Sequence, residues 1–241
     1  MDYFRNIIVV AAIAGIVAGI AMTVAQQLVT VPMVFEAEVL EAEVLEGQSE
    51  TQKAPAHEHD AKEAGPAHDH GEGWAPADGV ERTFFTLLAN VITGIGFALL
   101  LVAASELFGG LSGWRQGVFW GLAGFVVFTL APGLGLPPEL PAMPAAELGA
   151  RQVWWIGTVV STALALVLLF YVRSLPAVVL AVALLLAPHV IGAPQPASHE
   201  SPIPENLHHN FVVAVVMTTL VFWVLLGGLA GYARERFIGH A

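Results

Sequence analysis

The 241-residue chain contains no cysteine. That excludes disulfides, thiolate metal sites and a thiol nucleophile, so a metal held here must use imidazole and oxygen ligands. Charge is scarce too: Asp, Glu, Lys and Arg make up 12% of the chain, where soluble globular domains carry about a quarter. The nine Lys and Arg are scattered singly, which leaves no basic stripe for phosphate contacts and argues against nucleic acid as a partner. There is no HExxH, no GxSxG and no P-loop, so neither a metalloprotease, a serine hydrolase nor ATP-driven transport by this chain alone is indicated. The acids are concentrated: of twenty, thirteen lie between Glu36 and Glu81.

What is abundant is apolar sequence, 56% of the residues, so the expected solvent is a lipid bilayer. A bilayer core takes about 20 apolar residues as helix, because backbone polar groups must bond within the segment. Cutting the chain at its charges gives six candidate spans: Ile7 to about Val31, Thr83 to Ser105, Gln116 to about Leu136, Gln152 to Val172, Ser174 to about Gly192, and Asn210 to Ala233. The fifth is short and carries Pro176, Pro188 and His189. The first is longer than the apolar part of a signal peptide and is read as a retained anchor. The expected fold is an all-α, polytopic helical bundle of six, or five, transmembrane helices with a His/acid-rich extramembrane loop. Its parts are an N-terminal helix over 1–35, the polar loop over 36–82, and a bundle of five hydrophobic segments with proline-rich outer loops over 83–241.

Orientation follows from positive charge near the span ends. With the N-terminus cytoplasmic and six spans, Arg5, Arg115, Arg173, Arg234 and Arg236 fall inside and only Arg82 and Arg151 fall outside close to a span. The outer face then receives the 36–82 loop, the PPELPAMPAAELGAR loop, and the loop from Ala193 to His209, with seven of the nine histidines.

The outer loops carry the candidate chemistry. His57, His59, His68 and His70 form two HxH pairs interleaved with Glu58, Asp60, Asp69 and Glu72. In an extended chain, residues two apart point the same way, so an HxH pair can face one ion. Imidazole with carboxylate suits a divalent transition metal and does not name which one. A solvated acidic tract with no ligand is the alternative reading. Glu36 and Glu38 stand at the start of this loop, and His199 and Glu139 stand in the proline-rich loops.

Within the spans, Met22 and Gln26, four apart, share one face near the outer end of the first helix, followed by Gln27. They are candidates for a translocation path, because polar residues at membrane depth face a cavity or a partner; interhelical hydrogen bonding is the competing role for an amide. His189 is the one ionisable group well inside an apolar run. It is a functional candidate by default, against a structural histidine next to Pro188. Gly15-x-x-x-Gly19 allows two helices to approach closely.

Several stretches together resemble one family: AxxAGxxAG and QQLxxxP in the first span, the E-A-E segment and HxH loop, WAPADGxERTxxTxLANxxTGxGFALLL, GLAGFxxFxLAPxLGLPPELPxM, LGARQxWW, PHxxGAPQP and the C-terminal LLGxLxGY. The sequence is similar to CbtA, the probable cobalt transporter subunit, over nearly its whole length. The resemblance implies cobalt uptake linked in bacteria to cobalamin supply, and a small partner, CbtB, with one span and its own histidine motif. It implies metal-facing roles for His57, His59, His68 and His70, and for Glu36, Glu38, His189 and His199. The family is usually described with five spans, one fewer than the charge boundaries give here.

The reading is therefore a multi-pass subunit of the bacterial inner membrane whose outer loop captures Co²⁺ as substrate, with Ni²⁺ and Zn²⁺ left open, and passes it into the helices. No organic cofactor is expected, and self-association is left open. Two other classes compete: a membrane-anchored metal-buffering protein that does not translocate, and an integral membrane enzyme built on His189 with carboxylates from the proline-rich loops.

Overall fold

The computed structural model describes residues 2–51, 76–172 and 174–237. Its first helix, α1 (Asp2–Thr51), is 50 residues long and contains Pro32. It passes without a break from the apolar anchor into EAEVLEAEVLE, so Glu36 and Glu38 lie on a helix and not in a loop as the sequence suggested. The reason is propensity: Ala, Glu and Leu are strong helix formers, and no glycine interrupts them before Gly47. The polar connection is accordingly shorter than 36–82, and α2 (Val80–Glu106) begins ahead of the expected Thr83.

Four further helices follow: α3 (Trp114–Gly133), α4 (Leu148–Val172), α5 (Leu175–Ile191) and α6 (Glu205–Phe237). Every described helix except α5 is long and apolar enough to cross a membrane, five in all; α5 has 17 residues. At 1.5 Å per residue α5 still extends about 25 Å, the lower limit of a spanning helix. It runs antiparallel to α4: it starts just after α4 ends, and near its own end the Pro188 carbonyl accepts from Trp154 Nε1, near the start of α4, at 3.2 Å.

These contacts fix the two ends of the molecule. At one end, Asn6 Nδ2 donates to the Phe237 carbonyl at 3.3 Å and the Tyr3 hydroxyl donates to Glu106 Oε2 at 2.5 Å, so the start of α1 meets the ends of α2 and α6. Phe108, just past α2, stacks on Tyr171 near the end of α4 with ring centroids 4.1 Å apart. At the other end, Glu38 pairs with Arg82, Glu139 with Arg151, and His208 Nε2 lies 3.1 Å from the Pro138 carbonyl. The chain passes between these ends in six helices, five of them long and apolar enough to cross a membrane, and both termini of the described chain lie at one end.

The core joins α1, α2, α3 and α6. Val10, Ala11, Ala14 and Ala18 pack with Ala98, Leu101, Val102, Phe125, Trp223 and Leu226. Backbones come close at glycines: a Cβ at Gly15 would strike the Ile95 backbone, and one at Gly121 would strike the Trp223 carbonyl. Such small-residue contacts substitute for a hydrophobic driving force that lipid does not supply. The α4–α5 hairpin lies outside this core. Helix α5 packs chiefly on α4, and α4 meets the core through the second half of α3.

Candidate functional site

The end that holds the proline-rich segments also holds the later part of α1 and the start of α2. Helix α1 packs there through Met33, Val34, Ala37 and Leu40 against Leu140, Ile203, Leu207 and Phe211. Both proline-rich loops are thus ordered against α1 and α6, because proline stops a helix and leaves apolar side chains free to cover their neighbours. Beyond this contact α1 continues as a helix that exposes Glu43, Val44, Leu45 and Glu46.

The predicted ligands are placed as follows. His57, His59, His68 and His70 lie outside the described residues. Glu36 is exposed on α1. Glu38 receives both guanidinium nitrogens of Arg82, at 2.5 and 3.1 Å, and Arg82 also reaches Asp78 at 3.1 Å and lies over the Phe35 ring. This pair is about one-third exposed, so its contribution to stability is about 0–1 kcal/mol; what it adds is a fixed join between α1 and the start of α2. Glu139 is held by Arg151 at 3.1 Å. His189 is half-buried at the end of α5, its ring edge-on to Trp154 with centroids 6.0 Å apart. The carbonyl of Pro188 is taken by the Trp154 indole and not by the histidine. His199 is exposed in the loop before α6. Among the described residues, no group of three or more His, Asp or Glu converges closely enough to hold a metal ion.

Two polar residues of the first helix are hydrogen-bonded to the second. Asn90 Nδ2 donates to Gln26 Oε1 at 2.6 Å and to Thr23 Oγ1 at 3.0 Å, which ties α1 to α2. Met22 packs against the core, and Gln27 is half-buried. Asn90, the amide of the second span, is the sequence signal for this bond. At the head of α4, Glu147 accepts from the backbone N–H groups of Gly149 and Ala150 at 2.7 and 2.6 Å. These donors hold its carboxyl below the usual carboxylate range.

One element has no counterpart in the sequence reading. The ladder of α3 widens into a π turn over Val126–Leu130 before the helix ends at Gly133. π turns inside α-helices are rare and concentrate at functional sites. Beside this one lies a cavity of about 180 Å³ between α3, α4 and α6.

A family model described as "Probable cobalt transporter subunit (CbtA)" matches residues 4–235 of the 241. The chain belongs to the CbtA family. No curated protein and no solved structure matches it. CbtA is described as a transporter subunit and not as an enzyme, which agrees with a bundle of membrane-length helices. The word subunit implies protein partners, and the cobalt of that description is cargo.

Proposed function

We propose that this chain is the membrane-spanning subunit of a cobalt uptake transporter in the bacterial inner membrane, with both termini cytoplasmic and the histidine-rich stretch outside. The observation that carries the reading is the CbtA match over residues 4–235, which reaches into every described helix.

Arrangement and charge support it. Arg5, Arg115, Arg234 and Arg236 flank the spans at the end where the termini meet, which the positive-inside rule places in the cytoplasm. Residues 52–75, with four histidines and five acids, follow α1 in the chain, and α1 carries exposed Glu43 and Glu46 at the opposite end. That end collects divalent cations by electrostatic focusing, and neutral imidazoles bind them. Capture is weak and reversible, since a site that does not release cannot conduct. Glu38 and Glu139 are ion-paired with Arg82 and Arg151, so we assign the capture step chiefly to the histidines. The partner we propose is a small CbtB-like subunit with one span, and the biological demand for the metal is cobalamin supply. Cobalt is the favoured cargo, with nickel and zinc as competitors.

Radiolabelled cobalt accumulation in cells expressing this chain alone and with the small partner tests the reading. Metal recovered in the cytosolic fraction supports a transporter. Metal confined to the membrane fraction in both pairings contradicts it and favours a buffering protein.

A further inference from the structure

We propose that the groove along α4 from Glu147 to Ser161 holds a phospholipid of the phosphatidylethanolamine class, with its primary ammonium on Glu147 and one acyl chain laid along the helix. The groove opens at the proline-rich end, and only the leaflet that supplies the lipid depends on the transport reading.

The groove has a volume of about 650 Å³, inside the range of about 300–1,000 Å³ for ligand pockets. Small residues deepen it: Gly149, Ala150 and Gly157 of α4 line it together with Ala187 of α5. A Cβ at Gly157 would meet no atom within 4 Å. Val153 and Ile191 add apolar wall and are 73% and 80% exposed, so the described chain leaves this surface to the bilayer.

The polar groups along the groove are already satisfied. Thr158 Oγ1 donates to the Trp154 carbonyl at 2.9 Å, Ser161 Oγ donates to the Thr158 carbonyl at 3.1 Å, and Trp154 Nε1 donates to the Pro188 carbonyl at 3.2 Å. A partner helix would find no free side-chain donor here for an interhelical hydrogen bond, whereas an acyl chain needs none. What remains is a hydrocarbon-lined trough with one charged group, Glu147, at its mouth.

That charge selects the headgroup. Glu38, Glu139 and Glu106 each face an arginine. Among the described residues no cation faces Glu147, whose oxygens take the N–H groups of Gly149 and Ala150. A carboxylate accepts about four hydrogen bonds, so about two remain for a ligand. A primary ammonium brings three donors and a positive charge. A choline headgroup has no such donor, and phosphatidylglycerol brings a net negative charge against a carboxylate.

The length fits one leaflet. From Glu147 to Ser161 the helix rises about 21 Å at 1.5 Å per residue, half of the about 40–45 Å that a bilayer spans with its headgroup regions. Trp154, beside the mouth, stands at the depth where tryptophan anchors helices in the interface.

The test exposes the full chain in mild detergent to an equimolar mixture of phosphatidylethanolamine, phosphatidylcholine and phosphatidylglycerol with identical acyl chains, and reads the retained lipid by native mass spectrometry. One phosphatidylethanolamine per chain should be retained in preference to the other two. Glu147→Gln should reduce that preference about fivefold, the scale of one accessible ion pair. Glu147→Asp keeps a carboxylate and a good helix cap and should preserve it. Gly157→Leu, which fills the groove, should lower retention of all three lipids at unchanged helix content by circular dichroism. Equal retention of the three headgroups, or a preference that survives Glu147→Gln, would overturn the proposal. Retention untouched by Gly157→Leu would place the lipid elsewhere and overturn it equally. A chain that retains no lipid would also overturn it, and cross-linking through Gly157→Cys to a co-expressed single-span subunit would then assign the groove to a partner helix. Cobalt takes no part in the measurement, so its failure leaves the transport reading standing.

Discussion

Arg234 Nε lies 2.6 Å from Glu106 Oε1, and together these two residues join the last turn of α6 to the last turn of α2. The same guanidinium donates to the Leu111 carbonyl at 2.6 Å, and Gly110, at φ +76°, leaves room for it. Their side chains are only 15% and 21% exposed, so removing one partner strands a largely desolvated charge. Glu106→Gln should therefore lower stability by about 3 kcal/mol, read as a fall in the thermal midpoint of the detergent-solubilised protein. An unchanged midpoint would show that the pair is solvated and adds little.

The helix contacts at glycine make opposite predictions for two glycines. Gly121→Val should abolish assembly of α3 on α6, because its Cβ would occupy the position of the Trp223 carbonyl; the readout is loss of monodisperse protein after extraction. Gly157 faces open space on α4. Gly157→Ala should keep the fold and raise stability by about 0.5–1 kcal/mol, the usual gain of alanine over glycine inside a helix. Equal behaviour of the two variants would contradict the packing.

At the head of α4, Glu147 should give stability a defined pH dependence. Its carboxyl titrates below the ordinary value of 4.5 because two backbone N–H groups bind the ionised form. A depressed folded-state value means that the stabilisation is fully present above the unfolded value and is lost as pH falls through the folded value. The midpoint difference between the natural chain and Glu147→Gln should hold constant from neutral pH down to about 5 and shrink at lower pH. A difference that widens on acidification would contradict the capping geometry.

The Gln26–Asn90 bond predicts a separation of stability from transport. Asn90→Leu removes the donor to both Gln26 and Thr23 and should lower stability by about 1 kcal/mol, the scale of a hydrogen bond between membrane helices. Cobalt uptake per folded molecule should be unchanged. A variant of normal stability that fails to transport would return Gln26 to the translocation path.

The spans were legible in the sequence because lipid imposes a single rule, and charge boundaries mark where it stops applying. Helix α5 marks where this stops: the charge pattern counts it as a span, but with 17 residues it is not among the five helices long and apolar enough to cross a membrane, although it lies antiparallel to α4. The sequence reading failed where two local signals compete. Glutamates at 36–46 read as loop by polarity and fold as helix by propensity, and the second signal wins because nothing in that stretch breaks a helix. The partners of Gln26, Glu38 and Glu139 were illegible for another reason. Each lies far away in the chain, at Asn90, Arg82 and Arg151, and single-residue chemistry does not reveal such pairings. The π turn leaves little trace in GFVVFTLAPG, since one extra residue in a helical turn changes no periodicity that short apolar runs can display.

The most direct test of the account is the initial rate of radiolabelled cobalt uptake, at about pH 7 and about pH 5.5, by cells carrying the natural chain or a variant with His57, His59, His68 and His70 all replaced by Ala, each with the small partner. Neutral imidazole binds the metal and protonation below about pH 6 releases it. The account predicts rapid uptake at neutral pH that falls on acidification in the natural chain, and slow, pH-independent uptake in the variant at equal membrane abundance. Uptake by the variant equal to that of the natural chain at both pH values would contradict capture at the histidines.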